Sequence, residues 1–255
     1  GDTVTLTVGD NSYAGTVGED LTYAIDVPGS VLAENDSISA EVTGEDAAGN
    51  GYSADAARDY GVNTDASATI TIDTIAGDDV INGTEATQTI SVTGSVGGDA
   101  QAGDTVTLTV GDNSYAGTVG EDLTYAIDVP GSVLAENDSI SAEVTGEDAA
   151  GNGYSADAAR DYGVNTDASA TITIDTIAGD DVINGTEATQ TISVTGSVGG
   201  DAQAGDTVTL TVGDNSYAGT VGEDLTYAID VPGSVLAEND QVSADVSGTD
   251  AAGNG

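Results

Sequence analysis

The side chains of this chain that could do chemistry are carboxylates, and they come in clusters. In TDASATITIDTIAGDDVIN (64–82), Asp65 precedes a strand-like run and Asp73, Asp78 and Asp79 follow it; the stretch returns 102 residues later with Asp167, Asp175, Asp180 and Asp181. Further acids sit in Gly-rich loops: Asp99 and Asp201 in GGDAQAG, Asp148 with Asn152 and Asp250 with Asn254 in DAAGN, while Asn63 and Asn165 stand two places before the linker acids. Adjacent carboxylates raise one another's pKa or loosen their loop unless a cation neutralises them. A ligand set of oxygens without His or Cys selects Ca2+, which accepts about 6 to 8 oxygens from carboxylates, carbonyls and Asn side chains. The plain alternatives are a solvated acidic loop at Asp78 and Asp79, and an Asx-type turn at Asp148 and Asn152.

The rest of the composition narrows the field. The 255 residues carry a formal charge of -43, with Arg58 and Arg160 as the only cations and no Lys, His, Cys, Met, Trp or Phe. Disulfides, the usual zinc and iron sites, and thiol or imidazole nucleophiles are therefore excluded. Nucleic acid and anionic membranes are repelled partners, because both are bound through Lys and Arg. No apolar run approaches the roughly 20 residues of a membrane span and no signal peptide opens the chain, so the expectation is a soluble fragment without direct membrane insertion, its export signal lying elsewhere. Paired carboxylates could in principle serve a glycosidase or an aspartic protease. No DTG-like motif and no aromatic sugar platform accompany them, so no enzyme is expected. Arg160, alone among many acids, reads as an internal ion-pair partner.

The elements that must position these acids repeat. Residues 1–102 are identical to 103–204 and a third copy starts at Gly205, diverging only near its end at Gln241. A period near 100 is too long for a short solenoid and fits one self-sufficient β-sandwich. Within 66–167, ATITID, TISVTGS, TVTLTV, SYAGTV, LTYAIDV and SISAEV alternate as strands do, and Gly111 to Asn113 supply hairpin turn chemistry. SVLAEND predicts one helical turn capped by Ser132. A last strand falls somewhere in YSADAARDYGVN. The expectation is all-β: tandem bacterial Ig-like β-sandwich domains, Greek key, about seven strands each. Their bounds are 1–65 (a partial repeat lacking its first strands), 66–167 (complete) and 168–255 (lacking the last strand). In this topology the acidic connection after the first strand meets the exit of the last, placing Asp73, Asp78 and Asp79 near Asn165 and Asp167, with Asp201, Asp250 and Asn254 offered by the next repeat. Two neighbouring repeats and a five-residue linker, NTDAS, would then clamp Ca2+ between them.

These residues also resemble a known family. Repeats of about 100 residues with TITIDTIAGDDVINGTEA, GDTVTLTV, YAGTV and EDAAGNG are similar to the Ig-like extender repeats of giant bacterial repeats-in-toxin adhesins, ice-binding and biofilm adhesins among them. The resemblance covers the whole chain. It implies calcium in loops and joints, type I secretion to the bacterial cell surface, and a stalk role. As a stalk, the chain would have neighbouring repeats of itself as partners and hold up a distal adhesive domain whose ligand lies outside this fragment. The family's acidic linker matches Asn63 to Asp65 and Asn165 to Asp167, with Asn in the first acidic place and no Pro after it. Its DAAGN loop matches 46–50, 148–152 and 250–254 in full. A glycan- or protein-binding Ig-like module is the alternative function.

Overall fold

The computed structural model describes all residues, 1–255. With the copies counted from here on as 1–65, 66–167 and 168–255, the strands of the first are β1 (Thr3–Val8), β2 (Asn11–Thr16), β3 (Ser37–Glu45) and β4 (Gly51–Asp59), with a helical turn α1 (Gly29–Ala33). The second copy holds β5 (Ala68–Ile70), β6 (Val80–Ile81), β7 (Thr89–Gly98), β8 (Thr105–Val110), β9 (Asn113–Thr118), β10 (Thr124–Pro130), α2 (Gly131–Ala135), β11 (Ser139–Glu147), β12 (Gly153–Asp161) and β13 (Gly163–Val164). The third holds β14 (Ala170–Ile172), β15 (Thr191–Gly200), β16 (Thr207–Val212), β17 (Asn215–Thr220), β18 (Thr226–Pro232), α3 (Gly233–Glu238) and β19 (Val242–Ser247).

In the second copy the sheet orders are β10-β7-β5 and β12-β11-β8-β9. The chain thus lays two strands in one sheet, two in the other, one back in the first and two more in the second. That alternation between sheets is the immunoglobulin plan, with the expected seven strands. A short parallel pair, β13 on β6, is added to them. Alternation dictates the core: Ile70 and Ile72 are buried while Thr69 and Thr71 face water, and Val106, Leu108 and Val110 of β8 are fully buried. Tyrosine rings complete it, with Tyr125 donating its hydroxyl to Thr71 O at 2.7 Å and Tyr162 to Leu134 O at 3.0 Å. Burial pushes both phenols up to about 12, helped by Asp73 and Asp138 respectively. β8 and β9 meet through a two-residue turn in which Gly111 takes φ +55°, as a glycine-first hairpin turn requires. The helical turn forms where expected, but its N-cap is Pro130, no side chain caps it, and Ser132 lies inside it. Proline's fixed φ starts the turn without a hydroxyl.

The chain divides into two compact units. One is Gly1–Ala68 with Gly98–Ala100 and Thr145–Ser155; the other is Thr69–Gly97 with Gln101–Val144 and Ala156–Gly255. The first groups the sheet β2-β1-β3-β4 with the 63–67 linker and the two loops that hold that linker. Its inner face is covered only in part: Val4, Leu6 and Val8 of β1 are buried, but Tyr23 is 48 % exposed where its sequence twin Tyr125 is 3 % exposed. LTYAIDVP is strand β10 beside β7 but not strand at 21–28, where no such partner lies alongside. No helix is long and apolar enough to cross a membrane.

Candidate functional site

The DAAGN loop closes on itself. Asp148 N donates to Asn152 O at 2.9 Å and Gly151, at φ +87°, donates to Asp148 O at 3.0 Å. Asp148 Oδ1 accepts the amides of Ala150 and Asn152 at 2.9 and 2.8 Å, an Asx-type turn. Its Oδ2 accepts Asn152 Nδ2 at 2.9 Å and, from the linker, Asn63 Nδ2 at 2.8 Å. Asn152 Nδ2 also reaches Asn63 O at 3.1 Å. The linker's other end is held by Asp99, whose amide donates to Ser67 O at 2.7 Å and whose Oδ2 accepts Ser67 N at 2.8 Å. Asp148 is left 8 % exposed, whereas Asp46, in the same loop of the first copy, stays open to water. Side-chain and backbone donation by Asn152 holds the Asp148 carboxyl below the usual carboxylate range, against the opposing effect of burial.

The second linker repeats this and adds a contact. Asp250 Oδ1 accepts Ala252 N and Asn254 N at 2.9 and 2.8 Å, and its Oδ2 accepts Asn254 Nδ2 and Asn165 Nδ2, both at 2.9 Å. Asn254 Nδ2 donates to Asn165 O at 2.8 Å, and Ser169 N donates to Asp201 Oδ2 at 2.8 Å. Here the preceding repeat also takes part: Gly83 N donates to Asn254 Oδ1 at 2.6 Å. A Cβ on Gly83 would stand 2.6 Å from Thr166 O, so only glycine allows this approach. Asn254 therefore touches three segments at once and is 7 % exposed.

The acidic connection reaches the same end of its repeat. Val80 and Ile81 pair with Gly163 and Val164, Gly163 N donates to Asp79 O at 2.7 Å, and Asn165 N donates to Ile81 O at 3.0 Å. The backbone of this connection is thus beside Asn165, as the topology predicts. Its carboxylates are variously engaged. Asp79, at φ +63°, accepts Ile75 N at 2.9 Å and Arg160 Nε at 2.7 Å, and its second oxygen pairs with Arg160 Nη2. Arg160 also donates to Ile72 O at 3.1 Å. The guanidinium, with the Ile75 amide, holds the Asp79 carboxyl down at about 2. Asp181 keeps the Ile177 amide at 2.8 Å without an arginine. Asp73 and Asp175 accept Thr93 and Thr195 hydroxyls at 2.8 Å, while Asp78 and Asp180 accept the Val80 and Val182 amides at 3.0 and 3.1 Å. The carboxylates of Asp65 and Asp167 have no protein partner and face water.

As a calcium site this donor set is uneven. Nowhere do three or more carboxylates converge as a metal cage would need. Both oxygens of Asp148 and of Asp250 are surrounded by N–H donors, which a cation would have to displace. The oxygens left free are both of Asp65 and of Asp167 and one each on Asp73, Asp78, Asp99, Asp175, Asp180, Asp181 and Asp201. Sequence reasoning missed Gly83, Ser67 and Ser169. Asn-Gly at the end of the acidic run marks a turn, but nothing local in it points to a partner 171 residues away.

Two sheets closed as an immunoglobulin-like sandwich, repeated in tandem and fastened repeat to repeat through a short linker, define a modular stalk protein. No protein-family model matches the sequence, and no curated protein is similar to it. Solved structures are. One, described as giving insight into host cell surface retention of a 1.5-MDa bacterial ice-binding adhesin, is 39 % identical with a TM-score of 0.92, over 99 % of this chain and 82 % of that one. Another, a Ca2+-stabilized adhesin that helps an Antarctic bacterium reach out and bind ice, is 41 % identical with a TM-score of 0.70. It is matched over all of this chain, which spans 62 % of its length. A bacterial immunoglobulin-like domain from the M. primoryensis ice-binding adhesin is 39 % identical over its whole length and 40 % of this chain, with a TM-score of 0.39. The chain belongs to the immunoglobulin-like extender repeats of large bacterial adhesins, and its part in such a protein is that of a structural stalk.

Proposed function

We propose that this chain is a calcium-rigidified, non-catalytic extender, exported by type I secretion to the bacterial cell surface, where it holds a distal adhesive domain away from the cell. Its working units are 1–65, 66–167 and 168–255, and the partners of each are its neighbours in the chain. The observation that carries this reading is the second seam, in which Gly83 of one repeat, the linker residue Asn165 and the Asp250–Asn254 pair of the next repeat are bonded directly. Calcium is assigned to the oxygens that this bonding leaves free, those of Asp65 and Asp99 at one linker and Asp167 and Asp201 at the other. Asp73, Asp78, Asp175 and Asp180 contribute on the acidic connections. The -43 charge makes divalent cations the natural counter-ligand.

Small-angle scattering of the chain with Ca2+ and with chelator tests this. A stiffer, longer particle and a higher melting temperature in Ca2+ are expected, since an ion binding only the native state stabilises it by mass action. Identical scattering profiles, with no heat of Ca2+ binding by calorimetry, would overturn the calcium assignment.

A further inference from the structure

Asn82–Gly83 is the dipeptide in which a backbone nitrogen most readily reaches the preceding side-chain carbonyl carbon, because glycine has no Cβ to obstruct the approach. The chain contains the same dipeptide, in the same sequence, at Asn184–Gly185. Both asparagines are anchored alike: Asn82 Oδ1 accepts Thr84 N and Glu85 N at 3.0 and 2.9 Å, and Asn184 Oδ1 accepts Thr186 N and Glu187 N at 2.9 and 3.1 Å. They differ in the nitrogen that would react. Gly83 N is committed to Asn254 Oδ1 at 2.6 Å, and Asn82 is half-buried. Gly185 N has no partner, nothing lies within 4 Å of where its Cβ would stand, and Asn184 is exposed.

We propose that Asn82–Gly83 is a self-modification site gated by the seam between repeats. When the Asn254 loop undocks, Gly83 N loses its proton to water or hydroxide and attacks Asn82 Cγ. An N–Cγ bond forms, the Cγ–Nδ2 bond breaks, and the nitrogen leaves as ammonia, giving a five-membered imide. Water then opens the imide at either carbonyl, leaving aspartate or isoaspartate at position 82 with no change in oxidation state. Isoaspartate lengthens the backbone by one carbon between Asn82 and Gly83, so the amide that Asn254 receives no longer stands where the seam requires it. The conversion records that a seam has been open, and prevents the same seam from closing as before.

The intact chain carries its own control. It is incubated in mildly alkaline buffer and cleaved after Arg58 and Arg160, which puts Asn82 and Asn184 in different fragments. Conversion at each is then read by tandem mass spectrometry. Asn184 is expected to convert about fivefold faster than Asn82, the population ratio that one net hydrogen bond sustains. In Asn254→Ala, Asn82 should convert as fast as Asn184, with Asn184 unchanged. Equal rates at the two sites in the unaltered chain would overturn the proposal whether or not the variant folds, and so would an unchanged Asn82 rate in a folded Asn254→Ala chain.

Discussion

Replacing Gly83 with alanine tests the seam without entering either core. The added methyl would lie 2.6 Å from Thr166 O and 3.2 Å from Asn254 Oδ1, whereas ordinary contact begins at 3.4 Å. Relief at Thr166 alone needs a retreat of 3.4 − 2.6, about 0.8 Å, which takes Gly83 N out of hydrogen-bonding range of Asn254 Oδ1. The loss is one net hydrogen bond, about 1 kcal/mol, or about a fivefold rise in the open population. Gly185→Ala is the matched control, since nothing lies within 4 Å of the methyl there. Amide hydrogen exchange gives the readout. In Gly83→Ala the amide at position 83 should lose its protection and that of Asn165, which donates to Ile81 O, should weaken, while Val106 to Val110 remain as slow as in the parent. Gly185→Ala should change none of these. If both variants behave alike, the second seam is not closed through Gly83 and the reasoning fails.

Other perturbations separate the remaining interactions. Arg160→Met should lower the melting temperature at neutral pH. Because Asp79 has its pKa depressed to about 2 in the fold, its stabilising contribution is full above the ordinary carboxylate value and fades as pH falls toward 2, so the gap between variant and parent should close over that window in melts run at successive pH values. Leu134→Ala, at a site with no exposure, should cost about 2 to 5 kcal/mol in the urea unfolding of its repeat. Leu32→Ala, in the same sequence but half-buried, should cost clearly less in the same measurement. At high pH, Tyr125 and Tyr162 stay protonated in the fold up to about 12 while unfolded tyrosine ionises near 10, so stability should hold below pH 10 and drop between the two values. Denaturant titrations across that range check it, and Tyr125→Phe should flatten the drop.

The strands were legible because alternation is local. TVTLTV and ATITID each place every second residue in the core, and six of the seven strands and the Gly111 hairpin follow from such runs, the last strand being placed only roughly within YSADAARDYGVN. Two-residue strands carry no period, so β6 and β13 had no signature, and LTYAIDVP shows that even a well-patterned run becomes a strand only when its partner lies alongside. Ser132 looked like a cap because serine usually is one at a helix start, yet Pro130 already sets the entry. The candidate site was half legible. The acids at the joints and the DAAGN loop could be read directly, whereas Arg160 lies 81 residues from Asp79 and Asn254 lies 171 from Gly83, separations at which only the folded topology selects a partner.

The parallel pairing of Val80–Ile81 with Gly163–Val164 would have a mechanical meaning in the proposed stalk, were it held at one end and pulled at the other. Tension enters a repeat through its two ends, and β13 lies at the exit while β6 follows closely on the entry. Strands that run in the same direction and are drawn apart along their length slide past each other, so their hydrogen bonds must rupture together and cannot peel one by one. The Arg160–Asp79 pair joins the residue just before β6 to the strand that leads into β13. Resistance to drag would then be set by how slowly this small patch yields, a rate and not an equilibrium free energy.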